Sequence, residues 1–366
     1  MKTLIELLRE YRLPDIGVRF IDREKEILNI LALKDFQMHI ILGPRGCGKT
    51  KLLHALSYLL FRAKENTQVT YIGYLRKGLN LYTQIYSTNT GILRDIAKWT
   101  KKYFKVVSKF KHPANGLELL GFIDPCAPLK IATKKKFIFK KRLKSKHLII
   151  IDGLDEVIGD QDIIKTINRF CREFQGKLLE SIRKEGGSIK ILAVFSRNIT
   201  GLPKLSTSIL WNFNKNIYRK FLSEISCPLE FDKIWALCGG NLGLTIELLN
   251  SKWNTNSIIE QRLTSMKRTI EDYASDKKKI LTEVLNEIKK IEEIDDLAEK
   301  DLWKYFEQKY FTMSIPEEGE KLSEIPKESW IGRKAAWQAP IYMYCFKAVL
   351  RKGFEASAED VVKLFK

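Results

Sequence analysis

The chain has little from which to build a structural metal site or a disulfide scaffold. Its six cysteines (Cys47, Cys126, Cys171, Cys227, Cys238 and Cys345) include no C-x-x-C pair, and its four histidines (His39, His54, His112 and His147) form no H-x-x-x-H type spacing. The common zinc frameworks are thereby excluded, and reduced thiols are the plain reading. Long apolar runs are also missing: no stretch of 18 apolar residues occurs, so no membrane-spanning helix is expected. The opening MKTLIELLREYRLPD lacks the unbroken apolar core and small-residue cleavage site of a signal peptide. Leu4, Leu7, Leu8 and Tyr11 fall instead at the spacing of a short amphipathic helix, and a cytoplasmic location is expected. Internal repeats are absent. Acidic residues are scarce, with 44 Asp+Glu against 64 Lys+Arg, leaving +20 at pH 7. A surplus of that size predicts attraction to polyanions.

What remains is ordinary globular material, 366 residues with 45% hydrophobic side chains, enough for two or three domains. Residues 38–43, MHIILG, form an apolar run of the kind that fills a strand buried on both faces. KLLHALSYLLF carries a helical stripe of Leu52, Leu53, Leu56, Leu59 and Leu60, and Asp22 is placed to cap an earlier helix. QVTYIGYL, HLIIID (147–152), KILAVFS (190–196) and the weaker SILW (208–211) read as further strands. Their alternation with helical stretches predicts an α/β fold, a parallel sheet flanked by helices, over residues 1–215. Strand signals then stop. Residues 216–295 read as an α-helical lid, and residues 296–366 as a small carboxy-terminal domain whose order of elements fits a winged helix.

The chemistry centres on GPRGCGKT, residues 43–50, which satisfies G-x-x-x-x-G-K-[ST] in full between a strand and a helix. Gly43, Gly46 and Gly48 would let the loop, with Pro44, Arg45 and Cys47 between them, turn its backbone N–H groups inward on a phosphate, helped by the helix N-terminus. Lys49 is placed for the β- and γ-phosphates of ATP, and the Thr50 hydroxyl for Mg²⁺. LIIIDGLDEV delivers Asp152 to the end of a buried strand as the second Mg²⁺ acid. Asp155 or Glu156 would position the attacking water; both also suit the first turn of a helix. In KILAVFSRN, Ser196 and Arg197 end an apolar strand and are candidate sensors of the γ-phosphate.

These motifs resemble those of archaeal P-loop ATPases of the STAND and AAA+ superfamilies over roughly residues 15–250. RFIDREKEI is similar to a leading motif whose aromatic and basic residues pack near adenine, which implies roles for Phe20 and Arg23; Asp22 stands where the family has Gly. LIIIDGLDEV resembles the Asp-Gly-Leu-Asp-Glu motif of NACHT-type NTPases, and FSRN their Thr-Ser-Arg sensor. CGGNLGLTIELL is similar to their Gly-Gly-Asn-Pro-Leu lid motif, with Leu242 in the place of Pro. WQAPIYMYCFKAVL is similar to the segment closing their winged helix. The resemblance implies an ATPase that uses bound ATP as a conformational switch. A DNA-acting ATPase and a non-hydrolysing scaffold are the alternatives, and self-association with an arginine supplied in trans stays open.

The charge is local. Residues 94–147 hold sixteen Lys or Arg against three acids, about +13 of the +20. Trp99, Tyr103, Phe104, Phe110, Phe137 and Phe139 interleave with them, as expected where phosphates are neutralised and bases stack. The stretch reads as an insertion between two strands, serving as a DNA or other polyanion site, as a surface for an acidic protein or membrane, or simply as a solvated lysine face.

Overall fold

The computed structural model describes residues 4–13, 16–20, 22–62, 67–77, 80–87, 108–111, 116–120, 144–174, 177–291, 293–317 and 320–365. It divides into two compact units. The first comprises Met1–Leu42, Thr50–Phe195 and Ile199–Ser208; the second comprises Gly43–Lys49, Ser196–Asn198 and Ile209–Lys366.

In the first unit, α1 (Leu4–Glu10) and α2 (Glu24–Ala32) precede β1 (Gln37–Leu42) and α3, whose full span is Lys49–Arg62. Asp22 is not the cap of α2. That position is held by Arg23, whose carbonyl accepts from Ile27 N at 3.1 Å, while Asp22 sits one residue earlier at φ +44°. Next come β2 (Thr67–Lys77), β3 (Asn80–Ser87), β4 (Ser108–Lys111), β5 (Gly116–Leu120) and β6 (Lys146–Asp152). After β6 follow α4 (Asp160–Phe174), α5 (Lys177–Lys184), β7 (Ser188–Phe195) and β8 (Ser206–Ile209). The strand order is β8-β1-β7-β6-β2-β3-β5-β4.

The centre of this sheet is parallel, with β1 on β7, β7 on β6 and β6 on β2. Such strands must be apolar on both faces because helices cover both. Accordingly Met38, Ile40 and Leu42 of β1 join Ile189, Ile191, Ala193 and Phe195 of β7 in one core with Ile163, Ile167 and Phe170 of α4. The leucine stripe of α3 is buried throughout. The expected α/β sheet is therefore present.

Its far side differs from a simple alternation. β2 turns back into β3 antiparallel, pairing Lys77 with Asn80, and β3 then pairs with β5 and β5 with β4, both antiparallel. Only residues 78 and 79 separate β2 from β3, a length that permits a hairpin and no crossover helix. Part of the stretch read as an insertion thus belongs to the sheet: Ser108–Lys111 and Gly116–Leu120 are strands, and Lys146 and His147 begin β6. Most of the basic, aromatic-laced segment, residues 94–107, 112–115 and 121–143, lies outside the described residues.

The second unit is mainly helical. It holds α6 (Lys215–Glu224), α7 (Phe231–Cys238), α8 (Leu242–Asn250), α9 (Thr255–Asp276), α10 (Leu281–Ile288), α11 (Ile294–Ala298) and α12 (Leu302–Gln308). Asparagines Asn214, Asn241 and Asn254 cap α6, α8 and α9 by accepting a backbone N–H from three residues on. Three short strands follow, β9 (Thr312–Ser314), β10 (Glu320–Lys321) and β11 (Ala335–Trp337), then α13 (Pro340–Lys352), which starts on a proline, and α14 (Ala358–Val362). β9 and β11 pair antiparallel, Thr312 opposite Trp337. Phe306, Phe311, Trp337 and Phe346 form an aromatic core beside them. Among the described residues, no helix is long and apolar enough to cross a membrane.

Candidate functional site

The residues singled out in the sequence fall into both units. Phe20, Arg23, Thr50, Asp152, Asp155 and Glu156 lie in the first, and Gly43–Lys49 with Ser196 and Arg197 in the second.

In the first unit, β6 carries its apolar run into Asp152, which is only 6% exposed. Thr50, in the first turn of α3, donates its hydroxyl to Asp152 Oδ2 at 2.6 Å. The same oxygen receives the Tyr71 hydroxyl at 2.8 Å. Tyr71 was not singled out in the sequence: it is one aromatic of several in QVTYIGYL, and only the parallel register of β2 on β6 brings its hydroxyl to Asp152. Burial and the neighbouring carboxylate both push the Tyr71 phenol well above its ordinary value, burial being the larger cause, so it remains a donor. Tyr71 is held in turn by His54, ring to ring at 4.8 Å.

After Asp152 the chain must turn at once. Gly153 adopts φ +73°, and a Cβ there would lie 2.4 Å from the Tyr74 carbonyl oxygen, so only glycine fits. The short 3₁₀ turn Leu154–Glu156 follows, with Asp155 buried and Glu156 half-buried. Phe20 is buried near Tyr11, its ring 6.3 Å from that of Tyr11. Arg23 is buried and bonded to Glu26 at 3.2 Å, an internal pair within one helix start.

In the second unit, Gly46 and Gly48 take φ +82° and +99°, the left-handed backbone a phosphate nest requires. Lys49 is buried and donates to the carbonyls of Gly43 and Pro44, both at 2.8 Å, so its ammonium is held across the start of the loop. Cys47 is fully buried, its thiol 3.5 Å from the Leu210 carbonyl, a small side chain in a small space. The start of α8 and the residues before it meet the loop directly. Gly243 N donates to Gly46 O at 2.8 Å, and Asn241 Nδ2 donates to Arg45 O at 2.8 Å while its Oδ1 caps α8. Ser196 and Arg197 are both buried.

The donor set can be tested against Mg²⁺. Thr50 and Asp152 offer one hydroxyl and one carboxylate within hydrogen-bond distance, the sparse all-oxygen set that suits an ion sharing its other ligands with phosphates and water. Among the described residues, no group of three or more His, Cys, Asp or Glu would form a dedicated metal cage. The residues fit Mg²⁺ bound together with a nucleotide.

Residues 20–248 match the family described as an ATPase domain predominantly from Archaea. Among solved structures, the chain is similar to AMPPCP-bound DnaA from Aquifex aeolicus, at 13% identity, TM-score 0.35, 77% of this chain and 73% of that chain. It is also similar to a DNA replication initiation factor, at 14% identity, TM-score 0.32, 69% of this chain and 68% of that chain. No curated protein matches the chain.

Proposed function

The chain belongs to the family of ATPase domains found predominantly in Archaea, and from that premise we propose that it is a slow Mg-ATPase in which bound triphosphate acts as a conformational switch for a partner. Its character as an ATP-binding P-loop ATPase rests on the family; hydrolysis, Mg²⁺ and the switch are the proposal. One observation carries it. Thr50 and Asp152, 102 residues apart, meet at 2.6 Å, so the last residue of the phosphate loop and the acid ending β6 converge as Mg-ATP chemistry requires.

The division of labour follows from the side chains. Lys49 and the amides after Gly46 carry the phosphate charge, and the loop glycines let those amides converge. Mg²⁺, when bound by Thr50 and Asp152, supplies further positive charge against the phosphate oxygens. Asp155 or Glu156 orients the attacking water, and Arg197 with Ser196 reads the γ-phosphate. Phe20 and Arg23 fall where the family resemblance implies adenine contact. In this reading residues 1–215 are the ATPase domain, 216–295 the lid, and 296–366 a winged-helix-like domain.

A second reading, an ATPase acting on DNA, is favoured by the aromatic-interleaved charge of residues 94–147. Single-turnover hydrolysis with and without DNA, across a salt series, decides between them. The switch reading predicts ATP binding and slow turnover that DNA leaves unchanged. DNA-stimulated turnover, lost with rising salt and lost in the Lys134→Glu, Lys135→Glu, Lys136→Glu triple variant, would select the DNA reading. ATP binding with no single-turnover product would leave only a scaffold.

Three variants refine the site. Of Asp155→Asn and Glu156→Gln, one should lower turnover about a hundredfold with ATP binding retained, as expected for loss of a water-positioning group. If neither does so, the water-positioning assignment fails. Tyr71→Phe removes one of two donors that orient Asp152. It should raise the Mg²⁺ concentration for half-maximal turnover roughly tenfold, since groups that orient a ligand tune metal affinity by that order. An unchanged Mg²⁺ titration would reduce Tyr71 to packing.

A further inference from the structure

Three buried side-chain amides bracket Arg45 of the phosphate loop within the second unit. Gln338, Asn212 and Asn241 are 1%, 2% and 2% exposed. Gln338 Oε1 accepts from Arg45 N at 2.6 Å. The Gln338 carbonyl accepts from Asn212 Nδ2 at 2.9 Å, Asn241 Nδ2 donates to Asn212 Oδ1 at 3.2 Å, and the same Nδ2 donates to Arg45 O at 2.8 Å. The N–H and the C=O of Arg45 are thus both held by one closed circuit. Outside that circuit, the Arg45 guanidinium lies over the Tyr310 ring at 4.9 Å. Gln338 has a second set of bonds: its Nε2 donates to the carbonyls of Ser196 and Thr312, both at 3.0 Å. Its backbone N donates to Phe311 O at 2.8 Å. One side chain therefore joins the phosphate loop, the residue before Arg197, and β9.

Buried amides are costly unless every group is paired, and a fully paired network fixes one arrangement of the segments it joins. We infer that Gln338 is a positioning residue that preshapes the phosphate loop for nucleotide and relays loop occupancy to β9 and β11. The inference rests on the phosphate-loop reading above. Its physical basis is that Arg45 cannot reorient its peptide groups without moving the Gln338 amide. That movement disturbs the bonds to Ser196 O and Thr312 O together. By reciprocity, whatever holds Gln338 in place favours the loop shape that binds nucleotide.

The test uses the full chain, Mg²⁺ and a non-hydrolysable ATP analogue. Hydrogen exchange is followed in peptides covering Phe311–Ser314 and Ala335–Gln338, alongside nucleotide affinity. In the wild type, nucleotide should slow exchange in these peptides. Gln338→Met keeps the volume and loses every bond of the side-chain amide, leaving those of its backbone to Asn212 and Phe311; it should bind nucleotide roughly 5- to 30-fold more weakly, in the usual range of coupling, and lose the nucleotide-dependent protection. Gln338→Glu keeps the acceptor facing Arg45 N and removes the donor, so it should retain more affinity than Gln338→Met while losing the protection. A purely structural role would lower stability in both variants yet leave nucleotide-dependent protection of Phe311–Ser314 intact, and that result overturns the inference. So does a wild type that binds the analogue with no change in these peptides, a measurement that needs no variant to fold. A wild type that does not bind the analogue refutes the phosphate-loop reading itself, and the relay falls with it.

Discussion

Lys49→Ala should weaken ATP binding about a hundredfold and reduce hydrolysis about a thousandfold, the scale on which a lone charge aimed at transferring phosphate matters in a water-poor site. The expectation comes from where the ammonium sits. It is buried and tethered to Gly43 O and Pro44 O at 2.8 Å each, so the loop already holds it and little ordering is left for ATP to induce. Truncation removes that charge and takes the ammonium donor from Gly43 O and Pro44 O, of which Pro44 O keeps Cys47 N at 3.1 Å, and this also costs some stability. Isothermal titration with ATP, compared with chemical denaturation without it, separates the two effects. Retained affinity in a folded variant would refute the phosphate-loop assignment.

The second large effect is Asp152→Asn, expected to reduce hydrolysis about a thousandfold and to abolish the Mg²⁺ dependence of nucleotide binding. The substitution is chosen for its economy: the amide oxygen can still accept from Thr50 and Tyr71, so the fold is kept while the negative charge is lost. Asp152→Ala would leave both hydroxyls without that acceptor, costing roughly 1–3 kcal/mol per group left unpaired. If Asp152→Asn hydrolysed ATP at the wild-type rate with an unchanged Mg²⁺ titration, the metal role of Asp152 would be wrong.

Legibility of the structure in the sequence followed burial. β1, β6 and β7 are covered on both faces, so their apolar runs announce them, and GPRGCGKT stands out because it fills every fixed position of the G-x-x-x-x-G-K-[ST] pattern between a strand and a helix. The β3, β5 and β4 extension was not legible, since NLYTQIYS has only a mild alternation and depends on its neighbours for pairing. Within the site, Thr50 and Asp152 could be read from residue type and local context. Tyr71 could not, because its role depends on the register of one parallel strand on another. Gln338 was invisible for the same reason on a larger scale: its partner Arg45 lies 293 residues away, and a lone glutamine in WQAP carries no signal of it.

The glycine after Asp152 also bears on what fixes the place of the acids. There is no room for a side chain between Gly153 and the Tyr74 carbonyl, so the turn packs closely against the end of β2. Asp152, Asp155 and Glu156 are thereby set beside the end of β2, where Gly73 pairs with Asp152. In the reading proposed above, these acids are the part of the site whose place is set by the pairing of β2 with β6.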